Sequence, residues 1–305
     1  MKPLLFLPGR QWMLLGCLLL ATWPACAQLA TLRAPLAQVL AGKSATVGVA
    51  VLDLATGDTL TLNPGRYPMQ SVYKFHLALA VLHLVDQGRL SLDQKIRLTP
   101  RDLLPNTWSP LRDKYPQANV DVPLREILAA SVSLSDNNAC DILFRLVGGP
   151  KKVERYLRRL GQRDVAVRAT EEEMAKAWEV QFTNWSTPQA IAALLVQFHQ
   201  RPILSPASRA FLWQIMAEGP TGLKRIKGGV PAGTVVAHKT GTSGINAQGI
   251  TSAINDAGLV QLPNGQHFAL VVLVTNSRET VATNEAIIAQ VTQLTWQYFL
   301  AKTQK

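Results

Sequence analysis

Cysteine is scarce: the 305 residues hold three, and Cys17 and Cys26 both fall in an N-terminal stretch that reads as an export signal. Lys2 and Arg10 make its start basic, residues 13–21 are almost wholly apolar, and Ala25-Cys26-Ala27 has the small-x-small form of a cleavage site. The mature chain is therefore expected to begin near Gln28 in the periplasm, and neither early cysteine sits where a lipid-modified first residue would. Cleavage leaves Cys140 alone, which excludes an intramolecular disulfide and leaves stability to an ordinary hydrophobic core. Within Cys140-Asp-Ile-Leu-Phe144, a helical apolar pattern, the thiol reads as buried and inert.

Long apolar runs are missing too. The N-terminal one is interrupted by Gly16 and bounded by Pro24, too short for a spanning helix, and no later stretch is longer, which excludes stable membrane insertion. There is no long basic run either. The net charge of +11 loses two with Lys2 and Arg10, and the rest is scattered, as in Lys151-Lys152, Arg158-Arg159 and Lys224-Arg225-Ile226-Lys227. Such pairs read as solvated helix faces and exclude nucleic acid as a partner, although a surface of this sign draws small anions. His76, His83, His199, His238 and His267 show neither His-x-His nor His-Glu-x-x-His spacing, so no metal and no cofactor is expected. His76 and His83 read as packing residues on one helix, and Gly148-Gly149 and Gly228-Gly229 as turns.

What is present is a change of pattern along the chain. Residues 46–54 are β-branched and apolar, and Gly57-Asp58 turns them into 59–62, a hairpin. Phe75, Leu79, Leu82 and Val85 recur at helical spacing from Ser71 to a stop at Gly88, and further helices are expected at 124–147, 151–160, 187–200 and 206–216. After Gly219-Pro220, strands are expected at 233–238, 249–255 and 268–275, with Pro263-Asn264-Gly265 as a hairpin turn, and a last helix at 283–300. The fold class expected is α+β. Residues 28–66 and 221–305 build one antiparallel sheet flanked by helices, residues 67–220 form an inserted all-helical domain, and the active site lies in the cleft between them.

Ser71-Val72-Tyr73-Lys74 puts a hydroxyl at a helix start and an amine one turn later on the same face. A serine becomes nucleophilic once a neighbouring group takes its proton. A free lysine titrates at about 10.4, so the site must lower that value or couple the amine to another base. Alone the pattern is weak: a chain this long holds roughly one Ser-x-x-Lys by chance, readable as a helix cap followed by a surface lysine. Ser135-Asp136-Asn137 and Lys239-Thr240-Gly241 change the odds. Each motif occurs once and in this order, the set shared by class A β-lactamases and penicillin-binding proteins.

Over essentially the whole mature length the chain resembles the class A serine β-lactamases, and most of all their PER- and VEB-type extended-spectrum branch. The likeness is carried by Trp108 in Pro105-Asn-Thr-Trp-Ser-Pro110, by Ser135-Asp-Asn-Asn-Ala-Cys-Asp141, by Asn184-Trp185 and by His238-Lys-Thr-Gly-Thr-Ser-Gly244. The resemblance implies that Ser71 attacks the lactam carbonyl, that Lys74 and Glu171 share the proton traffic, and that Ser135 protonates the leaving nitrogen. It assigns the acylamide side chain to Asn137, the substrate carboxylate to Lys239, Thr240 and Arg225, and the oxyanion hole to the backbone N–H groups of Ser71 and Thr242. Gly241 would let the strand approach the ligand, and Ser243 would displace the strand edge to admit bulky oxyimino-cephalosporins. Trp108 reads either as an aromatic wall at the rim or as a loop tryptophan packed on its own domain.

Glu171, Glu172 and Glu173 are consecutive, and Glu171 is preferred because it lies 36 residues after Ser135 and 68 before Lys239. The family's usual Leu-Asn pair is replaced here by Met174 and Ala175, which puts the loop's geometry in question. The implied protein is a monomer that binds β-lactams. The alternatives are a penicillin-binding D,D-peptidase and a sensor domain that stays acylated. A glutamate between the second and third motifs argues against the first, and the lack of a membrane tether against the second.

Overall fold

A computed structural model describes residues 29–303, and the export signal read at 1–27 lies outside them. The chain runs through α1 (Arg33–Leu40), β1 (Thr46–Asp53), β2 (Thr59–Leu62) and the short β3 (Tyr67–Pro68) into α2 (Tyr73–Asp86). There follow β4 (Lys95–Leu98), α3 (Pro110–Lys114), β5 (Val120–Pro123), α4 (Leu124–Ser133), α5 (Asn137–Val147) and α6 (Pro150–Arg159). Next come β6 (Val165–Ala166), α7 (Glu171–Met174), β7 (Trp185–Ser186), α8 (Pro188–Gln200) and α9 (Pro206–Ala217), and the chain closes with β8 (Val236–Thr242), β9 (Ile254–Gln261), β10 (His267–Thr275) and α10 (Val281–Thr303). No helix among the described residues is long and apolar enough to cross a membrane.

The fold is α+β. Its main sheet has the order β2-β1-β10-β9-β8, so the N-terminal hairpin joins the C-terminal strands through β1 and β10, from Thr46 opposite Thr275 to Asp53 opposite Phe268. Both faces are covered. Phe268, Leu270, Val272 and Val274 of β10 share a core with Leu36 of α1 and Ile287, Ile288 and Val291 of α10. Ala269, Val271 and Leu273 join the other core, with Leu77 and Val81 of α2 and Ile191, Leu194 and Leu195 of α8. A strand buried on both sides needs apolar residues at every position, and β10 accordingly shows no polar alternation.

The helix expected over 124–147 is two helices. Ser135 takes φ +59°, and the Asp136 carboxylate accepts from Ala139 N at 2.8 Å and Leu111 N at 2.6 Å, capping α5 and tying it to α3. An aspartate that satisfies backbone N–H groups in this way breaks a helix that apolar spacing alone would continue. The strand expected at 233–238 starts at Val236 and runs to Thr242, because Pro231 and Gly233 (φ +85°) form a turn closed by Thr234 N to Pro231 O. That expected at 249–255 is loop until β9 begins at Ile254. Asn255, Asp256 and Gly258 hide β9 from a propensity reading, yet all three lie within it. Two small sheets, β3-β7-β6 and β4-β5, also stand within the helical part; strands of two and four residues leave no period to read.

Candidate active site

Ser71, the nucleophile expected from sequence, sits on a strained turn. Gln70–Val72 form a 3-10 turn leading into α2, and Gln70 has φ +46°, which for a non-glycine residue costs about 1–3 kcal/mol unless the surroundings hold it. Gln70 Nε2 donates to Gln181 Oε1 at 2.6 Å, Met69 N to Asn184 O at 2.9 Å, and Asn255 Nδ2 to Met69 O at 3.2 Å. β8 lies directly against this turn: a Cβ at Gly241 would stand 2.4 Å from Met69 O. The close approach that demands glycine here is thus to the protein's own backbone, and it ties the third motif to the turn that carries the first.

Two buried lysines converge on Ser135. Lys74 Nζ donates to Ser135 O at 2.8 Å and Asn137 Oδ1 at 2.6 Å and lies 3.0 Å from Glu171 Oε1. Two hydrogen bonds, with Glu171 as the opposite charge, offset the burial of this amine. From the other side Lys239 Nζ donates to Ser135 Oγ at 2.9 Å and Thr240 O at 3.0 Å. Burial, reinforced by the charge of Lys74, pushes the Lys239 ammonium well below its ordinary range, while Asp256 and Glu171 pull the other way.

The three consecutive glutamates separate cleanly. Thr170 caps α7 by accepting from Glu173 N at 3.2 Å, and Glu173 Oε2 accepts from Thr170 N at 2.8 Å, a capping box. Glu172 is 58% exposed and stands 3.9 Å from Lys176. Glu171 alone turns inward, with its side chain 10% exposed, and lines the cleft.

Asp141 of α5 and Asn184 fix the loop that carries these residues. Asp141 accepts from Glu171 N at 2.8 Å and Glu172 N at 2.9 Å; burial pushes its carboxyl up to about 6 against the pull of those two N–H groups. Asn184, fully buried, accepts from Arg168 N at 2.7 Å and Ala169 N at 3.0 Å and donates to Ala169 O at 2.8 Å and Met174 Sδ at 3.4 Å. Neither residue was assigned a role from sequence. A signal existed for Asp141: a carboxylate in the apolar stretch Ala139-Cys-Asp-Ile142 must find donors.

Ser71, Ser135, Asn137, Glu171, Thr240 and Thr242 line one cavity of about 390 Å³, with Trp108 and Arg225 at its edges. Trp108 is 63% exposed and its indole donates to Leu134 O at 2.9 Å, so the ring stands at the rim with its inner end tied. Thr240 and Thr242, two apart on β8, face the cavity together, as the strand's period of two requires. The Arg225 guanidinium is buried: Nη1 donates to Gly241 O at 3.1 Å and Asn255 O at 3.0 Å, Nε to Glu285 Oε1 at 3.1 Å, and Nη2 to Thr242 Oγ1 at 2.9 Å. Lys74 and Lys239 are held beneath the floor. Ser243 is not brought in: its hydroxyl donates to Gly244 O at 2.9 Å and accepts from Ala253 N at 3.0 Å, both along the strand edge. Cys140 is fully buried against the Tyr73 hydroxyl, and burial pushes its thiol well above the ordinary range.

A serine, a carboxylate and a second hydroxyl share one cavity, with one buried amine 3.0 Å from the carboxylate and another 2.9 Å from the second hydroxyl, an arrangement able to perform acyl transfer. A profile described as the β-lactamase enzyme family matches residues 31–299. The chain is 45% identical over 279 residues to β-lactamase VEB-1 of Pseudomonas aeruginosa, covering 90% of this chain and 93% of that protein. It is 47% identical over 277 residues to the extended-spectrum β-lactamase PER-1 of the same organism, covering 90% of each. The crystal structure of TLA-1 extended-spectrum β-lactamase superposes with a TM-score of 0.88 at 51% identity, covering 90% of this chain and 99% of that one. With family, relatives and fold in agreement, the chain belongs to the β-lactamase enzyme family, in its class A, and is a β-lactam hydrolase.

Proposed function

We propose that the mature chain, from about Gln28, works in the periplasm as a monomer and opens penicillins and cephalosporins, oxyimino-cephalosporins among them, through a serine acyl-enzyme. The observation that carries this reading is the sharing of one cavity by Ser71, Ser135 and Glu171 above two buried lysines. Ser71 Oγ attacks the lactam carbonyl, and its proton enters the Lys74–Glu171 pair. The backbone N–H groups of Ser71 and Thr242 receive the oxyanion, where a single donor is typically worth about 10² to 10³ in rate. Ser135, held by Lys239, gives its proton to the lactam nitrogen as the C–N bond breaks and takes back the proton held by the Lys74–Glu171 pair. Glu171, ionised again, then takes a proton from the water that attacks the ester, and that proton is returned to Ser71 Oγ as the C–O bond breaks and the serine is released.

The substrate carboxylate is assigned to Lys239 and to the hydroxyls of Thr240 and Thr242, with Arg225 acting through Thr242 Oγ1, the atom its Nη2 reaches. Asn137 is assigned the acylamide and Trp108 one wall. Breadth toward oxyimino-cephalosporins rests on the extended-spectrum relatives and on the exposed tryptophan at an otherwise open rim. Clavulanate is expected to inhibit and carbapenems to be poor substrates. Purified protein mixed with a chromogenic cephalosporin tests the reading: steady turnover supports it, and one stoichiometric burst replaces it with a sensor or a slow D,D-peptidase. In parallel, Ser71→Ala is expected to fold and to show no penicilloyl adduct by intact mass; an adduct on that variant moves the nucleophile elsewhere.

A further inference from the structure

A second cavity, of about 400 Å³, opens between the end of α2, the end of α5 and one face of α6. It shares no residue with the cleft. The α2 residue of this cavity nearest to Lys74, Ala80, lies about 9 Å from it along the helix axis at 1.5 Å per residue. Its walls are cationic: Arg89, Lys152, Arg155 and Arg159 line it, and none of these four makes an ion pair among the described residues. Arg145 also lines it but is paired with Asp102. No carboxylate lines the cavity. The nearby Asp86 is already engaged by Ser205 N at 2.7 Å and by the hydroxyls of Ser205 and Ser208, each at 2.6 Å.

The arrangement on α6 is selective. Arg158 turns away to Glu154 Oε1 at 2.7 Å, whereas Lys152, Arg155 and Arg159, at helical spacings of three and four, are stacked on the cavity side. Like charges at that spacing repel and destabilise a helix unless an anion lies between them. Tyr156 forms the inner wall. It is 4% exposed, and its hydroxyl has no hydrogen-bond partner in the structure. Burial keeps that phenol protonated and therefore a donor. The His83 ring lies against it, tilted by 33°, at a centroid distance of 4.8 Å. Lys151-Lys152 and Arg158-Arg159 are exposed, as solvated helix faces require, and one member of each pair, Lys152 and Arg159, also lines this open basic hollow.

We propose that this cavity is a binding site for an oxyanion bearing two or more phosphate groups. Its volume, more than ten times the roughly 30 Å³ of a water molecule, admits more than one phosphate. Three guanidinium groups supply forked donors matched to phosphate oxygens, and Lys152 adds a point charge. A buried phenol with no acceptor gains one when the ligand's oxygen reaches it.

Calorimetric titration of the mature chain with tripolyphosphate, against sodium chloride at matched ionic strength, is the test. One saturable site is expected. The Arg89→Glu/Arg155→Glu double variant should bind at least about tenfold more weakly, since charge-assisted bonds are removed and reversed. Tyr156→Phe should bind about threefold more weakly, the loss of one neutral hydrogen bond. Lys151→Glu alters the same helix outside the cavity and should bind as the parent does. All three variants should turn over a chromogenic cephalosporin at the parental rate. Sedimentation with phosphatidylcholine vesicles, with and without cardiolipin, identifies the source: cardiolipin-dependent binding displaced by tripolyphosphate means a lipid-borne phosphate, and binding of tripolyphosphate alone a soluble one. A titration no different from sodium chloride, or equal weakening by Lys151→Glu and the double variant, overturns the proposal.

Discussion

Replacing Asp141 by asparagine separates stability from catalysis in a way that depends on pH. The carboxylate accepts from Glu171 N at 2.8 Å and Glu172 N at 2.9 Å. Asparagine keeps one acceptor oxygen and turns an NH2 toward the second N–H, leaving a buried donor unpaired at a cost of about 1–3 kcal/mol. The substitution also removes a buried titrating group whose folded pKa is raised by burial to about 6. A raised carboxyl pKa contributes stability that is fully present below the unfolded value near 3.9 and lost as pH rises through about 6. Two pKa units correspond to at most about 3 kcal/mol. Asp141→Asn should therefore gain stability relative to the parent as pH rises from about 4 to 8, because only the parent loses stability as this group ionises. Catalysis should suffer at every pH, because the N–H group released belongs to the pair that aims Glu171. A displaced general base forfeits part of its usual 10² to 10⁴, so kcat is expected to fall about 10- to 100-fold with acyl-enzyme accumulating. Urea melts at four pH values and stopped-flow turnover measure both. A variant that loses stability relative to the parent as pH rises, or an unchanged kcat, refutes the reasoning.

Glu171→Gln should acylate and stay acylated, seen as a persistent adduct in time-resolved mass spectra. Glu172→Gln and Glu173→Gln should turn over within a small factor of the parent, the latter because glutamine still accepts from Thr170 N in the capping box. Gly241→Ala forces a Cβ to 2.4 Å from Met69 O, and the backbone shift it demands is expected to cost about 1–3 kcal/mol by denaturant melt and to lower kcat/KM by more than tenfold. Ceftazidime and cefotaxime should be hydrolysed alongside benzylpenicillin; rates at the uncatalysed level for both would remove the claim of breadth.

The architecture was legible where one physical signal dominated. β1 and β2 announced themselves through β-branched residues around Gly57-Asp58, and α2 through its apolar spacing and the stop at Gly88, which indeed takes φ +68°. Reading failed where a polar side chain overrode the periodicity. Asp136 splits 124–147 because its oxygens serve backbone donors, an effect that hydrophobic spacing does not register. β9 was misplaced because Asn255 and Asp256 look like loop residues, yet each is paired inside the sheet region, Asn255 Nδ2 to Pro68 O at 2.8 Å and Asp256 Oδ2 from Ile226 N at 3.1 Å.

The candidate site divides in the same way. Motif residues were legible because each chemistry needs a particular side chain at a particular spacing. The supports around them were not, because Asp141, Asn184 and Gln181 act through contacts to residues 10 to 111 positions away along the chain. The three glutamates lie between these extremes. Spacing from the neighbouring motifs favoured Glu171, but Thr170-x-x-Glu173 is itself a capping signature, so Glu173 could have been assigned to the helix end from sequence alone. Once Glu173 is fixed as the third residue of a helical turn, Glu171 and Glu172 differ in direction by about 100°, and only one of them can face the cleft. Which of the two turns inward is decided by Asp141, whose paired acceptance from Glu171 N and Glu172 N sets the rotation of the turn. Which carboxylate faces the cleft is therefore a property of α5 as much as of the loop that carries it, and the Met174 and Ala175 side chains leave it intact because they take no part in the two bonds from Glu171 N and Glu172 N to Asp141.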